Sequence, residues 1–271
     1  MTKTFVRSVM LSIWFVSCLQ TVNADVITPT NVTYIGTASE EVAIANLDDE
    51  NDIINSNGLS EALNVDESNL STVTHAAVTF DAPGNSWATV DPGAPGGDWF
   101  TLGENDGSVV FEFDLGGSFN VGSLVAWGYH FGLANGNTIS QVTLDFSTDG
   151  GLSIDSSQTV KVPLPADFDG ATIVQLAPVD ANFVILTVTD NHFGGPAGGD
   201  RIGIAEVRFL TPSKEVLLGD VNLDGIVDLL DVAPFVERIT TGTFQAEADI
   251  NMDGSVDLLD VAPFVDLLTG N

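Results

Sequence analysis

The sequence predicts an all-β sandwich followed by a small α-helical module, and three observations support this fold class. The chain of 271 residues contains 27 glycines and many short apolar runs, which is typical of strands joined by tight turns. No clear helical periodicity occurs before about residue 215. Beyond that point a segment is repeated at an offset of 29 residues, and a repeat of this kind indicates a duplicated structural unit.

The charge balance excludes several classes of function. The net charge is −31, with seven basic residues against 38 acidic ones, so the chain lacks the Lys and Arg that bind nucleic acid or an anionic membrane surface. The hydrophobic content of 44% and the mean hydropathy of +0.24 support a folded core. This composition fits a soluble secreted protein that binds divalent cations.

The first 24 residues are predicted to be a secretory signal peptide. Two basic residues near the start precede an apolar stretch from Val9 to Leu19, which is short for a membrane span. Val22 and Ala24 place small residues at the positions that signal peptidase reads. An uncleaved anchor is the alternative.

Cleavage before Asp25 would remove Cys18, the only cysteine. The mature chain would then have no disulfide, zinc-thiolate site or cysteine nucleophile, and no membrane span. Cys18 also leaves a lipoprotein signal open as an alternative.

Residues 25–210 form the predicted sandwich. Their apolar runs are rich in Val, Phe and Thr, which suits antiparallel strands, and Gly-containing turns separate them. The runs are Ser108 to Leu115, Val121 to Tyr129, Gln141 to Ser147, Phe183 to Thr189 and Ile202 to Leu210. Pro212 stops the last strand, residues 211–218 form a predicted linker, and the repeat module follows over 219–271.

Each repeat contains a ladder of oxygen-bearing side chains. Calcium takes six to eight oxygen ligands, and a twelve-residue loop supplies them from positions 1, 3, 5, 7, 9 and 12, with a carbonyl at position 7. The predicted ligands are Asp220, Asn222, Asp224, Ile226, Asp228 and Asp231 in the first loop, and Asp249, Asn251, Asp253, Ser255, Asp257 and Asp260 in the second. We therefore predict two calcium ions in this module.

Position 6 of each loop requires a positive φ for a sharp turn, and Gly225 and Gly254 meet that requirement. Position 8 is apolar, and Val227 and Val256 are predicted to pair the two loops in a strand-like contact. A solvated acidic turn is the alternative, but it needs neither the repeated glycine nor the repeated ligand ladder.

The repeats resemble a type I dockerin domain. The resemblance covers Gly219 to about Leu268, and it rests on the two loops with Asp at position 12 where a standard EF-hand has Glu. It implies docking onto a cohesin-type partner through the residues at loop positions 10 and 11, which are Leu229, Leu230, Leu258 and Leu259. Packing of the repeats against each other is the alternative role for these leucines, favoured for the second of each pair.

Proline constrains the helix that follows each loop. Pro234 and Pro263 are acceptable only in a first helical turn. The helices are therefore predicted to start near Asp231 and Asp260, or to kink.

The body resembles the galactose-binding-like sandwich, also known as the discoidin or coagulation factor 5/8 C-type fold. The resemblance is carried by Val109 to Gly116, Val121 to Trp127, Val142 to Gly150, Phe183 to Asn191 and Ile204 to Phe209, together with Asn57 to Ser60. It implies a jelly-roll sandwich that binds sugars at one end. It also implies one further calcium site, with Glu206 as a ligand beside Asn46, Asp48 or Asp49; a salt bridge from Glu206 to Arg208 or Arg201 is the alternative.

Four residues are candidates for a sugar site. Trp87 and Trp99 lie among Gly, Pro and Asp and are expected to be exposed in loops, where an indole ring can stack on a sugar, whereas Trp127 is expected in the core. His130 and His192 follow apolar runs and either line this site or are hydrogen-bonded strand-end residues.

No strong catalytic motif is present, since the sequence lacks a Gly-x-Ser-x-Gly elbow, a His-Glu-x-x-His pair and a phosphate loop. We therefore expect a non-catalytic protein that pairs a carbohydrate-binding sandwich with a docking module. A polysaccharide-degrading hydrolase and a calcium-dependent structural protein of the cell surface are the alternatives.

Overall fold

The computed structural model describes residues 19–42, 47–78, 85–90, 97–100, 107–131, 135–165, 167–194 and 198–269. The chain divides into two compact units. One is Asn23–Ser213, here the sandwich unit; the other combines Met1–Val22 with Lys214–Asn271, here the C-terminal unit. Among the described residues, no helix has the length and apolar character needed to cross a membrane.

In the described residues the regular structure consists of ten strands and two α-helices, with short 3₁₀ helices between them. The strands are β1 (Leu19–Val22), β2 (Val26–Ile27), β3 (Asn31–Tyr34), β4 (Trp87–Ala88), β5 (Val110–Gly128), β6 (Ile139–Ser147), β7 (Ser156–Lys161), β8 (Ala171–Asn191), β9 (Gly203–Leu210) and β10 (Lys214–Leu217). The helices are α1 (Val232–Thr241) and α2 (Val261–Thr269), and the 3₁₀ helices are Glu50–Ile53, Glu67–Asn69, Leu229–Asp231 and Ala246–Ala248.

The described part of the sandwich unit contains eight antiparallel strands in the order β2-β9-β5-β8-β6-β7, with β3 paired to β5 and β4 paired to β9. Strands β5 and β8 have 19 and 21 residues, and their shared register shifts between Asp114 and Phe119. The first part of β5 pairs with β3 and the last part pairs with β9. Phe113 and Phe209 nevertheless meet edge to face at 5.7 Å, so the sheet folds back on itself into two layers. The predicted antiparallel sandwich is confirmed.

The core lies between these layers and is rich in aromatic and branched side chains. Buried and less buried residues alternate at the start of β5, as expected for one face in the core. Strand β9 is buried at every residue, because a second cluster containing Leu70 and Val73 covers its other face. Trp127 belongs to this second cluster and donates its indole N–H to the Val73 carbonyl at 3.0 Å, in agreement with its predicted core position.

The C-terminal unit packs its two helices through a pair of phenylalanines. Phe235 and Phe264 stack with ring centroids 4.0 Å apart and are nearly inaccessible. Helix α1 begins directly after Asp231 and ends at Gly242, which adopts a φ of 65°. Pro234 therefore lies in the first turn, where its missing N–H is harmless, and the predicted helix start is confirmed.

Two stretches without predicted strands pair with each other. Residues 214–217 of the expected linker form β10, which pairs antiparallel with β1, Leu19 opposite Leu217. Strand β1 lies inside the predicted signal peptide, whose residues 1–18 fall outside the described part of the chain. Cleavage after Ala24 would thus also remove β1 from the mature protein.

Candidate functional site

The first residue of each loop organises the turn that follows it. The Asp220 carboxylate accepts the backbone N–H of Asp224 at 3.0 Å and that of Gly225 at 2.9 Å. In the second loop the Asp249 carboxylate accepts the equivalent backbone N–H groups, that of Asp253 at 3.1 Å and that of Gly254 at 3.0 Å. Both carboxylates are nearly buried, with 5% and 7% exposure. The two loops thus share one geometry.

The remaining side chains continue this arrangement. Asn222 and Asp224 accept the N–H groups of Asp224 and Ile226 at 2.8 and 3.0 Å. Asp228 accepts the N–H of Leu230 at 2.7 Å and so caps the short helix before α1. The second loop makes equivalent bonds through Asn251, Asp253 and Asp257, which accept the N–H groups of Asp253, Ser255 and Leu259.

The last residue of each loop is a fully buried carboxylate. Asp231 and Asp260 both have 0% exposure. Asp231 accepts the N–H groups of Asn222 and Asp228, each at 2.9 Å, and Asp260 accepts the equivalent pair at 3.0 and 2.9 Å. These bonds draw both ends of each loop toward one carboxylate.

Within the part of the chain that the structure describes, no cationic side chain pairs with a loop carboxylate. In the described residues the ion pairs are Arg201–Glu41, Arg208–Glu206 and Lys214–Glu247, and none involves a loop. A buried charge without a counter-charge is strongly unfavourable, so the donor set fits a bound cation. The same part of the chain contains no group of three His, Cys, Asp or Glu side chains arranged as a metal site; the donor set here mixes carboxylate, amide and carbonyl oxygens.

The backbone turns sharply at two positions in each loop. Gly225 and Gly254 adopt φ values of 88° and 86°, in agreement with the predicted turn. Leu223 and Met252, at position 4, adopt 63° and 62°, which the sequence did not reveal because neither residue favours this region. Among the β-bridges of the described residues none joins Val227 to Val256, so the expected strand-like pairing is wrong; Val256 instead packs in the core of the unit.

Replacing the turn glycines tests this geometry. Gly225→Ala is expected to destabilise the C-terminal unit by about 1–2 kcal/mol, the cost of a left-handed backbone with a Cβ atom. A Cβ at this position meets no atom within 4 Å, so the effect is backbone strain alone. Thermal unfolding followed by circular dichroism at saturating calcium measures it. Gly225→Asn is the matched control and should retain most of the stability, because Asn tolerates this conformation.

The four leucines at positions 10 and 11 are exposed. The exposures are 78% for Leu229, 66% for Leu230, 76% for Leu258 and 65% for Leu259. The alternative in which they pack the repeats together is therefore wrong, because Phe235 and Phe264 fill that interior instead.

The exposed apolar surface is larger than the four leucines. Val232 and Val236 are exposed by 37% and 51%, and their counterparts Val261 and Val265 by 38% and 49%. With Leu229 they follow the i, i+3, i+7 spacing of one helix face, a periodicity that was available in the sequence. Each repeat thus exposes four apolar side chains, which we name its apolar docking face: Leu229, Leu230, Val232 and Val236 in the first repeat, and Leu258, Leu259, Val261 and Val265 in the second.

The predicted loop exposure of the two tryptophans is wrong. Trp87 lies in β4 with 0% exposure, packs against Tyr34 and Phe111, and donates its indole N–H to Glu40 at 2.8 Å. Trp99 has 3% exposure. Neither ring is available to stack on a sugar, because both pack in the hydrophobic core of the sandwich unit.

Both histidines are hydrogen-bonded strand-end residues. A ring nitrogen of His130 lies 3.0 Å from the His75 carbonyl, and one of His192 lies 2.8 Å from the Val162 carbonyl. His130 has only 5% exposure and is too buried to line a ligand site; His192 is half-buried.

An exposed aromatic residue directly follows each histidine, and neither is among the sugar-site residues predicted from the sequence. Phe131 and Phe193 are exposed by 37% and 45%. Thr138 links their segments, since its hydroxyl donates to the Tyr129 carbonyl at 2.7 Å and its carbonyl accepts the His192 N–H at 3.1 Å.

Glu206 pairs with arginine. Its Oε1 atom lies 2.5 Å from Nη1 of Arg208, and both side chains are buried. Burial raises the pKa of Glu206 to about 7, although Arg208 acts to lower it. Arg201 pairs with Glu41 instead, at 3.4 Å.

A calcium ion does not fit beside this pair. The guanidinium already occupies the carboxylate and would repel a second cation. The neighbouring acidic side chain is Asp52, whose charge helps to raise the pKa of Glu206, rather than the expected Asp48 or Asp49; Asn46 lies outside the described residues. The metal role expected for Glu206 is therefore wrong in this chain.

Comparison with known proteins identifies the C-terminal repeats. Residues 218–263 match the family model of the dockerin type I domain, which confirms the resemblance drawn from the loops. No curated protein sequence matches the chain.

Solved structures similar to the chain include carbohydrate-binding modules (CBMs). They include the family 32 CBM of NanJ from C. perfringens in complex with galactose, at 15% identity over 69% of this chain and 98% of that chain, with a TM-score of 0.36. The C-terminal domain of a chitobiase from Bacteroides fragilis has 14% identity over 71% and 99%, with a TM-score of 0.41. CBM32-3 from a family 31 glycoside hydrolase of Clostridium perfringens has 9% identity over 69% and 95%, with a TM-score of 0.41. Because these TM-scores are low, the sandwich assignment depends on the strand pairing.

Proposed function

We propose that the chain is a secreted, non-catalytic protein whose C-terminal unit binds two calcium ions and docks onto a cohesin-type domain, while the sandwich unit binds a glycan. The observation that carries the calcium role is the pair of fully buried carboxylates, Asp231 and Asp260, which no cationic side chain neutralises in the described residues. The match of residues 218–263 to the dockerin type I family supports it.

Calcium supplies the missing positive charge in each loop. The first ion would be held by oxygens of Asp220, Asn222, Asp224, Ile226, Asp228 and Asp231, and the second by those of Asp249, Asn251, Asp253, Ser255, Asp257 and Asp260. Four carboxylates crowd each loop, and at ~5 Å each pair repels by about 0.8 kcal/mol in water. Bound calcium would reverse this repulsion and fix the start of each helix.

The apolar docking face supports the partner role. Clustered exposed apolar side chains are typical of a protein interaction site, and each repeat exposes four of them within eight residues. The face occurs twice with nearly equal exposure in the two repeats, so either copy presents the same chemistry to a cohesin-type domain.

A pull-down with the whole protein tests the docking role. Immobilised protein is incubated with a purified cohesin domain in calcium and, separately, in EDTA. Retention in calcium and release in EDTA is the expected result. Equal retention in both buffers, or no retention of any cohesin tested, would contradict the proposal.

Leucine variants test which surface docks. Leu229→Ala and Leu258→Ala are each expected to weaken cohesin binding about twofold or less, because the other repeat remains intact. The double variant is expected to weaken binding at least about tenfold, which corresponds to ~1.4 kcal/mol. Leu152→Ala is the matched control, since Leu152 is 89% exposed in the sandwich unit. Isothermal titration calorimetry compares all four variants with the wild type, and equal losses in the control and the double variant would exclude this surface.

The glycan role is supported by exposed aromatic rings at one end of the sandwich unit. Phe193 and Phe131 replace the two tryptophans as candidates, because an exposed ring can stack on a sugar face. A glycan array compares the wild type with Phe193→Ala, and with Leu152→Ala as the control. Binding that is lost only in Phe193→Ala supports the assignment, whereas the absence of any bound glycan would favour a structural role at the cell surface. In a separate assay, release of reducing sugar from a polysaccharide would favour a hydrolase.

A further inference from the structure

The guanidinium of Arg208 is surrounded by oxygen atoms in the way that a bound cation is. Its Nη1 atom lies 2.5 Å from Glu206 Oε1 and 2.6 Å from the Val207 carbonyl. Its Nη2 atom lies 2.8 Å from both the Ile54 carbonyl and the Ser56 hydroxyl. A carboxylate, two carbonyls and a hydroxyl are the ligands that a hard cation prefers. The arginine has 1% exposure.

The pair lies on one face of strand β9. Residues two apart on a strand point to the same side, so Glu206 and Arg208 lie together, while Val207 and Phe209 face the main core. The covering segment runs from the 3₁₀ helix Glu50–Ile53 to Ser56; it donates a hydrogen bond to Glu206 and accepts hydrogen bonds from Arg208.

The covering segment is strained where it meets the pair. Ser56 has a φ of 66°, which is uncommon for a residue other than glycine. Its N–H donates to Glu206 Oε1 at 3.3 Å and its hydroxyl accepts from Arg208. These contacts hold the backbone in a conformation that it would otherwise leave.

The site contains two buried carboxylates, those of Glu206 and Asp52, beside the single positive charge of Arg208. Asp52 has 5% exposure and acts on Glu206 through its charge. Among the described atoms, Glu206 Oε2 and Arg208 Nε lack a hydrogen-bond partner. A buried acidic site of this kind depends on the cation that occupies it.

We propose that Arg208 is the built-in cation of this site, so that the sandwich unit folds without metal whereas the C-terminal unit depends on calcium. The guanidinium holds the covering segment in place of the calcium ion that the galactose-binding-like resemblance implies. It follows that a small neutral residue at 208 converts the site into one for a hard divalent cation.

The tryptophans allow this to be tested in the whole secreted protein. After signal cleavage all of them, Trp87, Trp99 and Trp127, lie in the sandwich unit. Tryptophan fluorescence therefore reports unfolding of the sandwich, and circular dichroism at 222 nm reports the helices of the C-terminal unit. Thermal unfolding is recorded by both probes in ~10 mM calcium and in EDTA, where 10 mM is about a hundredfold above the dissociation constant of a weak extracellular site.

The wild type is expected to show the same fluorescence midpoint in both buffers, within about 2 °C. Arg208→Ala is expected to lower that midpoint by on the order of 10 °C in EDTA, because it leaves a buried carboxylate unpaired. Calcium is expected to raise the fluorescence midpoint of this variant by several degrees and to leave that of the wild type unchanged. A wild-type fluorescence midpoint that falls in EDTA, or an Arg208→Ala midpoint as insensitive to calcium as that of the wild type, would overturn the proposal.

A charge-free variant keeps the test decisive if Arg208→Ala does not fold. The double variant E206Q/R208M removes both charges at similar volume, and it is expected to fold and to ignore calcium. Failure of that variant to fold would contradict the role of Arg208 as a counter-charge. These fluorescence results are independent of the calcium loops, whose failure to bind would appear only in the circular dichroism signal.

Discussion

Chelation with EDTA is expected to unfold the C-terminal unit and release its partner. Each calcium ion stabilises the folded unit by roughly 2.7 kcal/mol at a hundredfold excess over its dissociation constant, so two ions contribute about 5 kcal/mol, which is comparable with the whole stability of a small domain. Without metal, Asp231 and Asp260 would remain buried with no bound cation beside them, a situation that unfolding relieves. Circular dichroism at 222 nm measures the loss of α1 and α2.

Calorimetry supplies the stoichiometry for the same prediction. Two calcium ions per chain are expected, and Asp231→Asn should reduce the count to one while preserving the size of the side chain. Magnesium is the control cation, because it demands tighter octahedral geometry and sheds water reluctantly. The absence of calcium uptake at millimolar concentration would refute the assignment of both loops.

Truncation of either stacked phenylalanine is expected to be the most damaging single substitution in the C-terminal unit. Phe235→Ala or Phe264→Ala removes a buried ring from a pair with 4.0 Å between centroids, and such changes cost about 3–5 kcal/mol. In a unit of this size that loss approaches the entire stability. The expected result is a C-terminal unit that folds only at high calcium concentration, seen as a large increase in the calcium midpoint of folding.

Val236→Ala is the matched control for that experiment. Val236 belongs to the same helix as Phe235 but is 51% exposed, so its truncation should change stability by less than about 0.5 kcal/mol. Similar shifts for Val236→Ala and Phe235→Ala would show that the stacked pair is not the centre of the core.

The loops could be predicted from the sequence because their structure is local. All six ligands and the turn glycine lie within twelve residues, so spacing alone specifies the geometry, and Pro234 specifies where α1 starts. The conformation of Leu223 was not predictable in this way, because its positive φ follows from the bonds that Asp220 makes around it.

The sandwich was harder to predict because its side chains are placed by distant partners. Trp87 is buried by Tyr34 and Phe111, far away in sequence, and its local glycines and prolines gave the opposite expectation. The partner of Glu206 could be anticipated as one alternative, since Arg208 is two residues away on the same strand face. The role of the covering segment could not be anticipated from the sequence, because Ile54 and Ser56 precede that strand by about 150 residues.

The pairing of β2 with β9 has a consequence for how the protein is made. Val26 lies opposite Leu210, and the N–H of Thr211 donates to the Asp25 carbonyl at 3.0 Å. Because the first strand of the sandwich unit pairs with β9, the sandwich cannot close until nearly the whole unit has been synthesised. Contacts this distant in sequence make folding slow. The proposed secretory signal would therefore act on a chain whose sandwich unit is still open during most of its synthesis.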